Sequence, residues 1–160
     1  MGNATDPRGG ARVKIPPPLV FLGLLLVGVG LRYVIAPPPL PGSRLVQLVV
    51  GGVLVALALA LGGTAQGLFR RSGQHPAPWK PSPSLVLQGP YRFTRNPMYV
   101  GMTGVQVGIG VMLGNLWVVL LAAPALMIVH YTAVLREEAY LEEKFGDDYL
   151  QLKRRVRRYL

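Results

Sequence analysis

The 160-residue chain contains no cysteine. That absence excludes a disulfide framework, a zinc-thiolate centre and a thiol nucleophile. Acidic residues are scarce too: seven Asp and Glu stand against 17 Lys and Arg, for a formal net charge of +10. Charged residues make up only 15% of the chain and hydrophobic residues 51%. Soluble domains carry more charge than this, so lipid rather than water is the expected main solvent. A net charge of this size also suits nucleic acid, but the basic residues gather at the ends of long apolar runs and not on one polar face. The expected partner is therefore the anionic leaflet of a membrane, met by the basic C-terminus, with no nucleic acid and no metal.

Four apolar runs organise the chain: 17–36, 45–69, 98–113 and 116–135. About 20 apolar residues of helix cross a bilayer; the third run, at 16 residues, reaches only about 24 Å. The spacing predicts an all-α integral membrane bundle of about four transmembrane helices. Residues 1–16 are polar with Gly and Pro and read as a disordered cytoplasmic tail; residues 17–160 form a single domain. Arg8, Arg12 and Lys14 precede the first run as in a signal peptide, but no small-x-small cleavage site follows, so a retained first span is expected. Gly51-Gly52 and Gly62-Gly63 in the second run allow close helix approach. Gly114-Asn115 reads as a tight turn that makes runs three and four a helical hairpin.

The polar remainder falls at one end. With four spans, the tail, the 70–97 loop and residues 136–160 share a side, and that side holds 15 of the 17 Lys and Arg; Arg32 and Arg44 are the exceptions. The basic side is cytoplasmic, which places both termini in the cytoplasm. Residues 136–145 continue the fourth helix outward, Gly146 interrupts it, and Asp147-Asp148 open a new helix with arginines at its end. Tyr149, Leu152, Val156 and Tyr159 repeat at 3-4-3 spacing, predicting a C-terminal amphipathic helix on the membrane surface or the loop.

Chemistry concentrates in two segments: Leu85 to Gly101, containing Gly-Pro-Tyr-Arg-Phe-Thr-Arg-Asn-Pro-Met-Tyr, and Arg136 to Tyr149, containing Glu137-Glu138 and Phe-Gly-Asp-Asp-Tyr. A hairpin returns its end beside its beginning, so Arg95–Tyr99 and Glu137–Glu138 should meet at one depth. Carboxylates there can pair with an amino group or bind ribose hydroxyls, Tyr91 and Tyr99 can stack or hydrogen-bond, and Asn96 offers both donor and acceptor. S-adenosylmethionine presents groups of these kinds, and methyl transfer from it requires positioning and a dry site, not a metal.

In order and spacing the two segments resemble the isoprenylcysteine carboxyl methyltransferase and phospholipid methyltransferase superfamily, over roughly residues 74–158. The family hallmark is Arg-His-Pro-x-Tyr followed by a distant Glu-Glu. The resemblance implies a methyltransferase using S-adenosylmethionine on a lipid-like or prenylated substrate, with the 70–97 loop as its cofactor loop. It implies cofactor contacts from Pro83, Ser84, Leu85, Val86, Tyr91, Asn96, Pro97, Met98, Tyr99, Glu137 and Glu138, with Arg95, Asn96 and Glu137 as candidate catalytic residues. Asn96 stands where the family has His and cannot titrate. The substrate-binding Arg of eukaryotic members aligns with Ala133, leaving Arg136 and the intramembrane His130 as substrate candidates.

Plainer roles remain open for the same residues. Glu137 and Glu138 also read as solvated charges at a helix start, Arg95 as a headgroup anchor, His130 as a histidine hydrogen-bonded within the bundle, and His75 with Gln74 and Trp79 as ordinary loop. Competing functions are a non-enzymatic membrane scaffold and an NADPH-dependent membrane reductase.

Overall fold

The computed structural model describes residues 11, 13, 15–73, 80, 82 and 84–159. Among the described residues five helices carry the fold: α1 Pro17–Val34, α2 Arg44–Arg71, α3 Pro97–Met112, α4 Leu116–Phe145 and α5 Asp147–Arg155. A 3-10 turn, Gly89–Arg92, precedes α3. Among the described residues the only β-type pairing outside the tail is an isolated parallel bridge, Thr94 to Arg157. The protein is thus all-α. Helices α1, α2 and α4 are long and apolar enough to cross a membrane, whereas α3, at 16 residues, is a shorter partner inside the bundle.

Small residues decide how α2 and α3 pack. Gly51, Ala58 and Gly62 form one face of α2; Gly101, Gly104 and Gly108 form the facing stripe of α3. A Cβ on Gly108 would sit 2.9 Å from the Gly51 carbonyl oxygen, and one on Gly101 would sit 2.9 Å from that of Ala58. Backbone therefore meets backbone, as helices do in lipid, where dispersion and not water release drives association. Only one glycine of each expected pair takes part: a Cβ on Gly52 or Gly63 would touch nothing within 4 Å.

The turn between α3 and α4 is tight. Gly114 adopts φ +59°, and the Asn115 side chain caps α4 by accepting from the Trp117 amide at 3.1 Å while its Nδ2 donates to the Gly28 carbonyl on α1 at 3.0 Å. Arg32 and Arg44 donate to the Leu113 and Met112 carbonyls. The two basic residues at this end thus neutralise the open C-terminus of α3.

Helix α4 is long for a bilayer core of about 30 Å, since 30 residues extend to about 45 Å. It is not uniform: a π-turn occupies His130–Val134. This extra residue breaks the expected alignment of His130 with Glu137 on one face. Helix α5 stops at Arg155, and Val156 is extended, so Val156 and Tyr159 do not continue the expected amphipathic face. Ala11 and Val13, in the stretch expected to be disordered, are buried against Phe21, Tyr99 and Val129.

The α2–α3 contact gives a direct test. Gly108→Ala should lower stability by about 1–3 kcal/mol through overpacking, although alanine is the better helix former. Gly30→Ala, whose Cβ would meet nothing within 4 Å, should leave the unfolding midpoint in detergent unchanged or raise it.

Candidate functional site

The start of α3 and the outer part of α4 meet at the bundle end opposite the Gly114 turn. Pro97 is the first residue of α3, where its missing N–H costs nothing, and Asn96 precedes it as the N-cap residue. Tyr99, one turn in, donates to Glu137 Oε1 at 2.5 Å. Arg95 Nη1 donates to Glu138 Oε1 at 2.7 Å and to the Tyr149 hydroxyl at 3.3 Å. Arg158 reaches the same carboxylate from the other side, Nε to Oε1 at 2.9 Å and Nη2 to Oε2 at 2.8 Å. Glu138 is 7% exposed; two guanidiniums offset the cost of burying its charge.

Residues 156–158 run alongside this corner. Their three carbonyls accept in turn from Arg95 Nε at 3.1 Å, from the Arg95 amide at 2.9 Å, and from both Thr94 Oγ1 and Asn96 Nδ2 at 3.1 and 3.0 Å. Tyr159 continues the run, its hydroxyl 2.9 Å from His130 Nδ1.

A cleft opens beside these groups, with about 920 Å³ of space including its mouth. Ser84, Leu85, Val86, Tyr91, Arg95, Asn96, Pro97, Met98, Tyr99, Glu137 and Glu138 all line it. Pro83, His75, Gln74 and Trp79 lie outside the described residues. His130 and Arg136 do not line the cleft: His130 sits on the π-turn facing Tyr159, and Arg136 is exposed. Ala133, aligned with a substrate arginine in the family, is fully buried in the core.

The cleft has walls that were not read from the sequence. Phe69, at the end of α2, stacks on Tyr91 with centroids 6.2 Å apart. Tyr140 and Leu141 follow Glu137 at helical spacing i, i+3 and i+4, a signal present in the sequence. Tyr149 and Leu152 come from α5. Nothing local to Phe69 or Arg158 announced their part, because each reaches the site by long-range folding.

The polar groups of the cleft divide into satisfied and unsatisfied. Among the described residues the buried Tyr91 hydroxyl has no hydrogen-bond partner; burial and the Glu137 charge push its pKa up, so it stays a neutral donor. Burial, with the nearby Glu138 charge adding to it and the Arg95 hydrogen bond opposing it, pushes Tyr149 up to about 12. Among the described residues no cation pairs with Glu137, whose side-chain partner is the neutral Tyr99 hydroxyl. The basic run at 153–158 is partly engaged internally: Lys153 pairs with Glu142 at 2.9 Å, and Arg158 with Glu138.

A second, apolar groove lies between α1, α2 and α3, walled by Phe21, Leu25, Leu59, Met102 and Val105. Met98 lines both the groove and the cleft.

A family model described as phospholipid methyltransferase matches residues 46–148. The chain is 38% identical over 72 residues to a protein-S-isoprenylcysteine O-methyltransferase of Schizosaccharomyces pombe, covering 45% of this chain and 30% of that protein. It is 35% identical over 63 residues to an uncharacterized protein of Haemophilus influenzae, covering 39% of this chain and the whole of that protein. The match thus spans under a third of the yeast protein's length. No solved structure matches the chain. With the family model extending over more than half of its residues, and with the motif residues that suggested the resemblance gathered in one cleft, the chain belongs to the phospholipid methyltransferase family.

Proposed function

We propose that the cleft binds S-adenosylmethionine and that the protein transfers its methyl group to a lipid-like or prenylated acceptor at the cytoplasmic face of the membrane. The observation that carries this reading is Glu137: a carboxylate in the cleft that has a neutral phenol as partner and no described counter-cation. Such a site favours a cationic ligand, and S-adenosylmethionine carries both an ammonium and a sulfonium. The Tyr91 hydroxyl, buried without a partner among the described residues, offers a ligand acceptor the hydrogen bond it lacks. The Phe69–Tyr91 pair provides apolar rings beside which a planar base can lie. Ser84, Leu85 and Val86 complete the wall.

When bound, the cofactor supplies an electrophilic methyl group. The residues of this chain hold and orient. Glu137 fixes positive charge; Tyr99 orients Glu137; Glu138 holds Arg95 in place. Asn96 cannot titrate, and burial keeps the Tyr91 hydroxyl protonated, so neither of these two serves as a general base. Membrane-soluble acceptors match the groove that shares Met98 with the cleft. The name of the yeast relative, which methylates isoprenylcysteine, supports an acceptor with an apolar chain. The exposed arginines at 154, 155 and 157 suit contact with anionic headgroups, consistent with a cytoplasmic orientation.

Titration of the detergent-solubilised protein with S-adenosylhomocysteine should show binding that NADPH does not reproduce. Glu137→Gln should weaken it about tenfold or more, the scale of a hydrogen bond to a charged group. A folded wild-type protein that binds no S-adenosylhomocysteine would overturn the proposal. Tyr91→Phe separates affinity from stability: deleting an unsatisfied buried hydroxyl should leave the unfolding midpoint unchanged or higher, while affinity for S-adenosylhomocysteine falls severalfold. Unchanged affinity would mean the hydroxyl does not face the ligand. Incubation with methyl-labelled cofactor and a lipid extract should place label in an organic-soluble product, and label confined to water-soluble material would contradict a lipid-like acceptor.

A further inference from the structure

We propose that residues 156–159 form a strap that braces the cleft from behind its lining, with Arg158 as a positioning residue that acts on the ligand site through Glu138. The inference rests on the cofactor reading above and goes beyond it, because none of these four residues lines the cleft.

The strap is fastened along its whole length. Three consecutive carbonyls, of Val156, Arg157 and Arg158, are taken by Thr94, Arg95 and Asn96. The Arg158 guanidinium grips both oxygens of Glu138, and Tyr159 meets His130 on the π-turn of α4. The geometry therefore sorts the motif residues into two kinds. Glu137 and Tyr99 line the cleft and hydrogen-bond to each other. Glu138 and the Asn96 amide nitrogen are spent on the strap, and so are the Arg95 backbone amide and Nε, while Arg95 Nη1 goes to Glu138 and Tyr149.

Charge supports the same division. Glu138 is saturated on Oε1 by Arg95 and Arg158 and holds a further bond on Oε2, so it has little capacity left for a cationic ligand. The hydrogen bond from Arg158 to Glu138 raises the already high pKa of the guanidinium, so the clamp stays charged over the working pH range. What Arg158 contributes is placement. By holding Glu138 it fixes Arg95, and by holding the strap it fixes the backbone from Thr94 to Asn96 at the entry to α3. That entry sets where Tyr99, and through it Glu137, stands in the cleft.

Two readouts on the full chain test this. Hydrogen exchange at the Arg95 amide, which donates to the strap at the Arg157 carbonyl, reports the strap with no cofactor present. Titration with S-adenosylhomocysteine reports the cleft. Arg158→Ala should speed exchange across 94–96 and weaken affinity about tenfold, as expected for losing a charge-assisted hydrogen bond. Arg158→Lys, which keeps the charge but cannot grip both oxygens in a fork, should recover part of both, and it serves as the test if the alanine variant does not fold. Unchanged exchange in these variants would overturn the strap. Faster exchange with wild-type affinity would overturn its service to the cleft. A wild-type protein that binds no S-adenosylhomocysteine, while the exchange effect persists, would overturn the cofactor reading and leave the strap as an element of the fold.

Discussion

A single buried carboxylate joins the parts of this protein that lie far apart in sequence. Glu138, on the outer part of α4, receives Arg95 from the entry of α3 and Arg158 from beyond α5. A lone carboxylate this far from water would be costly; with two guanidiniums it becomes a fixed point. Three segments must converge before any one of them is electrostatically satisfied. The cleft opens beside that junction.

The rest of the bundle brings the junction together. The Gly114 turn returns the chain at one end, so Tyr99 and Glu137 come level at the other. Arg32 and Arg44 close the C-terminus of α3, and the glycine stripe on α3 lets α2 approach until backbones touch. This close approach carries the end of α2, with Phe69, to the wall of the cleft. The length of α4 matters too. Glu137 lies 21 residues beyond Leu116, about 32 Å along the helix, which is close to the full depth of a hydrocarbon core. Charged chemistry can therefore sit at the interface while the apolar groove opens below it.

Much of this was legible in the sequence. The apolar runs gave the helices to within a few residues, because lipid-facing helices leave a strong compositional signal. Gly114-Asn115 announced the turn, Gly146 the break before α5, and eleven of the residues named for the site share one cleft. What could not be read depended on long-range contact. The 3-4-3 spacing of Tyr149, Leu152, Val156 and Tyr159 suggested a helix to the last of them, yet the chain straightens at Val156, where its carbonyls find better donors in Thr94, Arg95 and Asn96. Arg158 looked like one more basic residue in a run. Only the fold reveals that it and Lys153 pair inward while their neighbours stay exposed. His130 shared a helical face with Glu137 by counting, but the π-turn between them adds a residue and turns the ring to Tyr159.

A double-mutant cycle on Arg95 and Glu138 examines the junction most directly. Arg95→Met, Glu138→Gln and the double variant would be unfolded in the same detergent and compared with wild type. If the two side chains form one buried unit, the double variant should be no less stable than the worse single variant, with a coupling of about 1–3 kcal/mol. Single losses that simply add would show that the two groups act independently, and the convergence of α3, α4 and the strap on Glu138 would have to be abandoned.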